Sequence, residues 1–213
     1  MVSKHFAIPA LAVILLAGCG QNADKAESAA PAEAAAPAAA APTATAPGAA
    51  FDITKIPVST APLGVFPYIT LPAGYVDGGG KTQDLARFPF WTGTAFEFVE
   101  GKVYQAGIRP DEGKTFSKLE LQRGIERQVL AAGGVKVTES RIPSSASDAL
   151  TDDVKVGMID GLGDIYNDAT TTYVIRRADR SIWVHVVPSM YGGAWTIAET
   201  EPAPASPAAA PAA

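Results

Sequence analysis

The stretch "TTYVIRRADRSIWVHVV", residues 171–187, contains two runs of β-branched and aromatic residues on either side of a short polar segment. Runs of this kind favour strands, and Ala178-Asp179-Arg180 between them is short enough for a tight turn. The stretch therefore predicts a β-hairpin with two antiparallel arms. Because side chains alternate along a strand, His185 is expected on the same face as Trp183.

Further strands are indicated on both sides of this hairpin. Phe96 and Phe98 alternate with small or polar residues, and "EGK" at 100–102 is expected to turn the chain so that 103–106 returns beside them. Alternating residues predict strands at 134–140 and at 195–197. The sheet is therefore expected to be mostly antiparallel.

One helix is indicated between the strands. Ser117 and Glu120 have the spacing of a capping box, in which the serine hydroxyl accepts a hydrogen bond from an amide and the glutamate reaches back. The apolar positions repeat every four residues, at Leu121, Ile125 and Val129. Gly133-Gly134 is expected to end the helix. Gly124 costs it about 1 kcal/mol and is expected to permit close packing.

Together these elements predict an α+β domain over residues 51–200, with one main helix on one face of a mostly antiparallel sheet. Its length of about 150 residues is enough for a sizeable core. The segment 62–75 is expected to run extended along the sheet edge, because its prolines resist central strands. Residues 143–170, rich in Gly and Asp, are expected to be irregular with one short helix.

The domain is flanked by segments of a different composition. Residues 29–50 are almost wholly Ala and Pro, and the tail 201–213 is similar. Recurring prolines break helices, and alanine buries too little surface to build a core. We expect disordered, extended linkers at 19–50 and 201–213, the first of which would hold the domain away from its point of attachment.

The first 18 residues are typical of an export signal. Lys4 is followed by an apolar run of about eleven residues, too short to span a bilayer. Leu16-Ala17-Gly18-Cys19 then resembles the lipobox of bacterial lipoproteins. That resemblance implies a diacylglycerol on the thiol of Cys19, cleavage before Cys19 and an N-acyl chain. Gly20, where an Asp would favour the inner membrane, implies the periplasmic face of the outer membrane.

Several stretches of the domain resemble the N-terminal periplasmic region of some proteobacterial OmpA-family lipoproteins. They are "PLGVFPYITLPAGY", "RFPFWTG", "EFVEGKVYQA", "KLELQRGIERQVLAAGGVKVTES", "DGLGDIYND" and "TTYVIRRADRSIWVHV". In that family a peptidoglycan-binding OmpA-like domain follows, whose motif resembles T-D-x-x-G-x-x-x-Y-N. "DGLGDIYN" at 160–167 lacks one residue of that spacing, so the peptidoglycan-binding domain is not expected in this chain. The resemblance implies no catalytic residues.

Composition excludes several classes of function. The net charge of −5 gives no attraction to nucleic acid. Cys19 is the only cysteine, so no disulfide is expected. The two histidines are His5, in the leader, and His185, which we expect at the surface or half-buried. Without a second histidine, a free thiol or a G-x-S-x-G motif, we expect neither an enzyme nor a zinc site.

Three weaker patterns remain. Asp160, Asp164 and Asp168 recur every four residues, and turn-forming roles are favoured over a Ca²⁺ or Mg²⁺ site, so no metal is expected. Arg176, Arg177 and Arg180 are candidate partner-binding residues, since guanidinium groups suit carboxylates and phosphates. The alternative is a solvated turn with Arg180 paired to Asp179. Aromatic residues are expected in the core, with a ligand groove as the alternative; they are residues 88–91, Trp183, Tyr191 and Trp195.

The sequence therefore predicts a non-enzymatic outer-membrane lipoprotein. Its lipid would anchor it to the membrane, and its domain would bind an envelope protein or peptidoglycan. Two alternatives stay open: a periplasmic small-ligand carrier or envelope enzyme that uses the aromatic residues, and a structural spacer from a truncated OmpA-family protein. No cofactor is expected beyond the covalent acyl groups on Cys19.

Overall fold

The computed structural model describes residues 51–200, the span assigned above to the domain. The expected leader at 1–18, the segment 19–50 with Cys19, and the tail at 201–213 lie outside the described residues.

Six strands in this span form one sheet, in which every neighbouring pair is antiparallel. The strands are β1 (Tyr75–Trp91), β2 (Phe96–Pro110), β3 (Val135–Ser140), β4 (Thr170–Arg176), β5 (Ser181–Pro188) and β6 (Gly193–Thr200). Their order across the sheet is β1-β2-β6-β5-β4-β3. The α+β class and the antiparallel sheet predicted from the sequence are confirmed.

The predicted hairpin forms as β4 and β5. The amide of Arg177 donates to the carbonyl of Arg180 across the turn, at 2.8 Å. Thr172 lies opposite His185, and Val174 opposite Trp183. The hairpin places β5 third from the β3 edge of the sheet, between β4 and β6.

The first hairpin differs from the prediction. "EGK" does not turn the chain; it lies inside β2, and the turn falls earlier, where the amide of Thr92 donates to the carbonyl of Ala95 at 2.9 Å. Gly101 takes φ +152°, and its missing side chain lets the backbone of β6 pass close by. The glycine was thus wrongly taken as a turn signal, because a close backbone approach inside a strand needs the same residue.

Helix α1 (Lys118–Ala131) forms where it was predicted. The hydroxyl of Ser117 accepts from the amide of Glu120 at 3.3 Å, and Gly133 takes φ +75° just after the helix ends. The reach-back of Glu120 does not occur. Its carboxylate binds the ammonium of Lys114 at 2.9 Å instead, and the hydroxyl of Tyr75 accepts from the Ser117 amide at 3.2 Å.

The segment 62–75 packs against α1, not along the sheet edge as predicted. The amide of Thr70 donates to the side chain of Gln128 at 3.0 Å, and the Gln128 amide group donates back to the Thr70 carbonyl at 2.7 Å. Pro72 sits so close to Gly124 that any side chain at Gly124 would overlap its ring. The expected close packing at Gly124 is confirmed, with a proline as the neighbour.

Both faces of the sheet are buried. Helix α1 covers one face, with Leu121, Ile125 and Val129 fully buried. The far end of the β1–β2 hairpin covers the other face: the indole of Trp91 donates to the hydroxyl of Ser140 on β3 at 3.0 Å. Three short helices complete this second face, where one had been predicted: α2 (Ser144–Asp148), α3 (Asp152–Gly157) and α4 (Ile159–Leu162).

Burial on both faces explains the apolar character of β5. Ile182, Val184 and Val186 face α1, whereas Trp183 and His185 face the second core. His185 shares the face of Trp183 as predicted. Its expected position at or near the surface is wrong, because the second face is covered and His185 has no exposed area.

No helix within residues 51–200 combines the length and the apolar composition needed to cross a bilayer.

Candidate functional site

The three candidate arginines contact other parts of the domain. The guanidinium of Arg176 donates to the carbonyls of Thr54 and Ile56 at 2.8 and 2.9 Å. Arg177 donates to the carbonyl of Ala61 at 2.6 Å. These contacts hold the segment that leads into the domain against the end of β4.

Arg180 has acidic neighbours. Its guanidinium lies 3.2 Å from the carboxylate of Asp179, as the alternative interpretation expected, and 3.0 Å from that of Glu199 on β6. The phenol of Tyr68 donates to Glu199 at 2.5 Å. Desolvation and this carboxylate raise the pKa of Tyr68 to about 12. Recognition of a partner by the arginines stays a prediction, and their contacts within the domain give them a structural role.

The three aspartates do not form one acidic stripe. Asp164 accepts from the amide of Asn167 at 3.1 Å, which is the turn contact that was favoured. Asp160 pairs with Lys81 at 2.8 Å, and Asp168 pairs with Lys118 at 2.6 Å. Among residues 51–200, no group of three or more His, Cys, Asp or Glu side chains is arranged to hold a metal ion.

The aromatic residues that could have lined a groove are nearly all in the core. Trp183 and Trp195 are 3% and 1% exposed, and residues 88, 90 and 91 are equally buried. Tyr191, 80% exposed, is the exception in this set. The aromatic groove required by the carrier alternative is therefore not present at these positions.

A row of polar side chains crosses the second face of the sheet. Gln105 on β2 lies opposite Thr196 on β6, Thr196 lies opposite His185 on β5, and His185 lies opposite Thr172 on β4. Since paired residues point to the same face, the four side chains form one line across four strands. All four residues are completely buried. We call these four residues the polar row.

Several atoms of the polar row have no hydrogen-bond partner among the described residues. They are the amide oxygen of Gln105, the hydroxyl oxygens of Thr196 and Thr172, and Nδ1 of His185; the hydroxyl of Thr170, two residues before Thr172, shares this property. A buried polar group without a partner costs about 1–3 kcal/mol, and folded proteins contain few of them. Their concentration in one line marks this place as the candidate site.

His185 is neutral in this setting. Its Nε2 lies 3.0 Å from the carbonyl of Leu162, so Nε2 carries the proton and donates, while Nδ1 is left as an acceptor. Rings of Phe88 and Phe90 lie 5.1 and 6.4 Å from the imidazole. Burial among these rings lowers the pKa of His185 to about 4.

Residues 152–162, which comprise α3 and α4, lie over Gln105, Thr196 and His185 of the polar row, and we call them the lid. Gly161 lies directly over the row: a side chain there would overlap the hydroxyl of Thr196 and the Cβ of Gln105. The side-chain amide of Gln105 donates to the carbonyl of Gly157 at 3.4 Å. With the His185 bond to Leu162, these contacts tie the lid to the sheet by polar groups.

A cleft of about 300 Å³ opens beside the lid. Its floor is the next row of the same face, two residues along each strand, and consists of Gly78, Gly107, Ala194 and Val187. Asp160 and Asp164 line its wall on the lid side. Because the floor carries so few side-chain atoms, the cleft leads from solvent to the edge of the lid.

A second cleft, of about 290 Å³, lies at the other end of β5. It is lined by Ser181 and Trp183 of β5, and by both Phe51 and Thr200, the first and last described residues. The chain therefore enters and leaves the described domain at one end. The cleft beside the lid lies near Val187, about 20 Å further along the strand at 3.3 Å per residue.

The polar row was missed by the reasoning from sequence, although three of its four members left a local trace. Gln105, Thr196 and His185 are single polar residues inside apolar runs that alternate as strands do. Only the register between strands places them side by side, and that register is not readable from any one run.

No family model, curated protein or solved structure matches this chain. The resemblance to OmpA-family lipoproteins is an expectation from the sequence.

Proposed function

We propose that this chain is a lipid-anchored protein of the bacterial outer membrane, on the periplasmic side, whose domain docks an envelope component without catalysing a reaction. The observation that carries this proposal is Leu16-Ala17-Gly18-Cys19, at the end of a short apolar run that follows a basic start. Two acyl signals on one cysteine are enough for stable attachment to a bilayer.

The geometry of the domain supports this arrangement. Phe51 and Thr200 line the same cleft, so segments joined at either end would leave from one side. The cleft beside the lid lies at the opposite end of β5. A domain tethered through Phe51 would then present the lid and its cleft away from the tether.

Metabolic labelling tests the anchor. Bacteria expressing the full chain are grown with an alkyne analogue of palmitate, and the purified protein is coupled to a fluorophore. We expect label on the wild type and none on Cys19→Ser, which exchanges one sulfur atom for oxygen and leaves the leader at 1–18 unchanged. An inhibitor of the lipoprotein signal peptidase should cause a larger precursor to accumulate. Equal labelling of the two chains, or none on either, contradicts the proposal.

Sedimentation with purified cell-wall sacculi tests one docking partner. If the wall is the partner, the protein pellets with sacculi and stays in solution without them. If an envelope protein is the partner, the protein stays in solution with sacculi, and chemical crosslinking in intact cells captures a discrete adduct. The absence of both results argues against a docking function.

A further inference from the structure

We propose that the polar row is the floor of a binding site for a short neutral saccharide, reached from the neighbouring cleft when the lid lifts. This inference deepens the proposed function, on which it rests, because it names a ligand class for the end of the domain that faces away from the tether.

The unpartnered atoms define the chemistry of the ligand. The Gln105 amide oxygen and His185 Nδ1 can only accept hydrogen bonds, so the ligand must offer O–H or N–H donors. The hydroxyls of Thr172 and Thr196 can accept or donate. Carboxylates and phosphates are disfavoured, because their oxygens cannot donate to the two acceptors.

The absence of charge in the polar row argues for a neutral ligand. All four side chains are uncharged, since the buried His185 is neutral, and an ion brought there would lose its hydration without a counter-charge. A molecule rich in hydroxyl and amide groups meets both conditions. Sugars and N-acetylated sugars are of this kind.

The shape of the row suits an extended molecule. Four adjacent strands separate its ends by three strand spacings, about 14 Å. Beside His185 lie the rings of Phe88 and Phe90, with Trp183 5.3 Å from Phe90. Hydroxyls on one edge and apolar C–H faces on the other are the pattern a chain of two or three sugar rings would match.

The lid is the part of the site that must move. Its polar ties include the His185–Leu162 and Gln105–Gly157 hydrogen bonds and, on its outer side, the Lys81–Asp160 ion pair, and Leu162 packs in the second core. A sugar on the row would replace the lid's contacts with its own. Ile159 and Asp160 of the lid already line the neighbouring cleft, so the lid borders solvent on that side.

The test measures binding of chitobiose and chitotriose, the dimer and trimer of N-acetylglucosamine, by calorimetry. The full chain, purified in detergent, should bind at least one of them saturably, and should not bind glucuronic acid. Thr172→Val combined with Thr196→Val keeps the side-chain shape but removes two hydroxyls, and we expect about tenfold weaker binding or more. Thr171→Val, on the neighbouring residue facing α1, is the matched control and should bind like the wild type.

A second variant tests the lid. Gly161→Ala places a methyl group against Thr196 and forces the lid away from it. Because the free energy of lifting the lid is then already spent, the variant should bind the sugar more tightly than the wild type does. Equal or weaker binding by Gly161→Ala contradicts a site beneath the lid. Urea unfolding of each variant shows that it is folded, and the double threonine variant should be at least as stable as the wild type, because it removes two unpartnered polar atoms.

Further outcomes distinguish a free sugar from the glycan of the cell wall, and distinguish failure of this inference from failure of the lipid anchor. Binding to soluble chitotriose alone indicates a free sugar, whereas additional pelleting with sacculi indicates wall glycan. Cys19→Ser should bind chitotriose as the wild type does, so failure of the lipid anchor would leave this result unchanged. The inference is overturned if neither the wild type nor Gly161→Ala binds these sugars saturably. In that case ordered water alone would occupy the unpartnered atoms of the polar row and of Thr170.

Discussion

His185 is a buried histidine with one satisfied nitrogen, and its environment gives it a measurable effect on stability. The ring donates to the carbonyl of Leu162 and is enclosed by Phe88 and Phe90. Burial holds the pKa of His185 at about 4 in the folded state, below its ordinary 6.5. Between these two values the unfolded chain binds a proton that the folded domain does not.

We therefore predict that the domain loses stability as the pH falls through 6.5. From pH 7 to pH 5 the free energy of unfolding should drop by about 2 kcal/mol because of this one group. Urea unfolding at a series of pH values measures the drop. His185→Gln keeps a side-chain N–H for Leu162 and cannot titrate, so its curve should be nearly flat over the same range. An equal slope in both chains would rule out His185 as the cause.

Arg176 is a second residue with a definite energetic role. Its two hydrogen bonds to the carbonyls of Thr54 and Ile56 fix residues 54–56 to the end of β4. We expect Arg176→Ala to lower the free energy of unfolding by about 2 kcal/mol, as for the loss of hydrogen bonds made by a charged group. Arg123→Ala, on the exposed side of α1, should change it by no more than about 0.5 kcal/mol. If Arg176→Ala and Arg123→Ala are equally stable, Arg176 has no structural role.

At the scale of elements, α1 depends on one close contact. Gly124 faces Pro72, and a side chain at Gly124 would overlap the proline ring. Alanine gains about 1 kcal/mol in a helix over glycine, whereas overpacking in a core costs about 1–3 kcal/mol. Because Pro72 is rigid and cannot turn away, we expect the cost of overpacking to exceed the gain in helix preference.

We predict that Gly124→Ala is destabilising by about 1 kcal/mol or more, despite its better helix propensity. Gly157→Ala is the control, since open space surrounds Gly157 on α3 and the helix preference should act there alone. Thermal unfolding of the two variants should therefore shift in opposite directions. A stabilised Gly124→Ala would show that residues 62–75 do not press on α1 as described.

Local patterns predicted the elements that carry their own signals. Ser117 and the four-residue apolar repeat were sufficient for α1, and the two β-branched runs were sufficient for the β4–β5 hairpin. The same reasoning failed for β1, because Gly78-Gly79-Gly80 has low strand preference, and the irregularity that it makes between Gly78 and Lys81 is bridged only by pairing with β2 on both sides. Gly101, inside β2, was taken for a turn signal because a close approach of two strands calls for the same residue as a turn.

At the scale of the whole molecule, the functional assignments of single residues needed contacts that are distant in sequence. Arg176 and Thr54 are 122 residues apart, so the charge cluster could be seen in the sequence but not the carbonyls it binds. The polar row needs the register of four strands at once. His185 is buried because the β1–β2 hairpin folds across the second face, and no local sequence pattern predicts that packing.

The proposed location of the chain depends on Cys19. An acyl-modified cysteine would attach the described domain to a membrane through the Ala- and Pro-rich stretch of sequence that precedes Phe51. Without the modification, the proposed location has no basis.

Mass spectrometry of the N-terminal peptide from the mature protein determines whether Cys19 carries lipid. We expect a peptide that begins at Cys19 and carries a diacylglyceryl group on sulfur and an acyl chain on the new amine. A peptide that begins elsewhere, or an unmodified Cys19, would contradict this expectation.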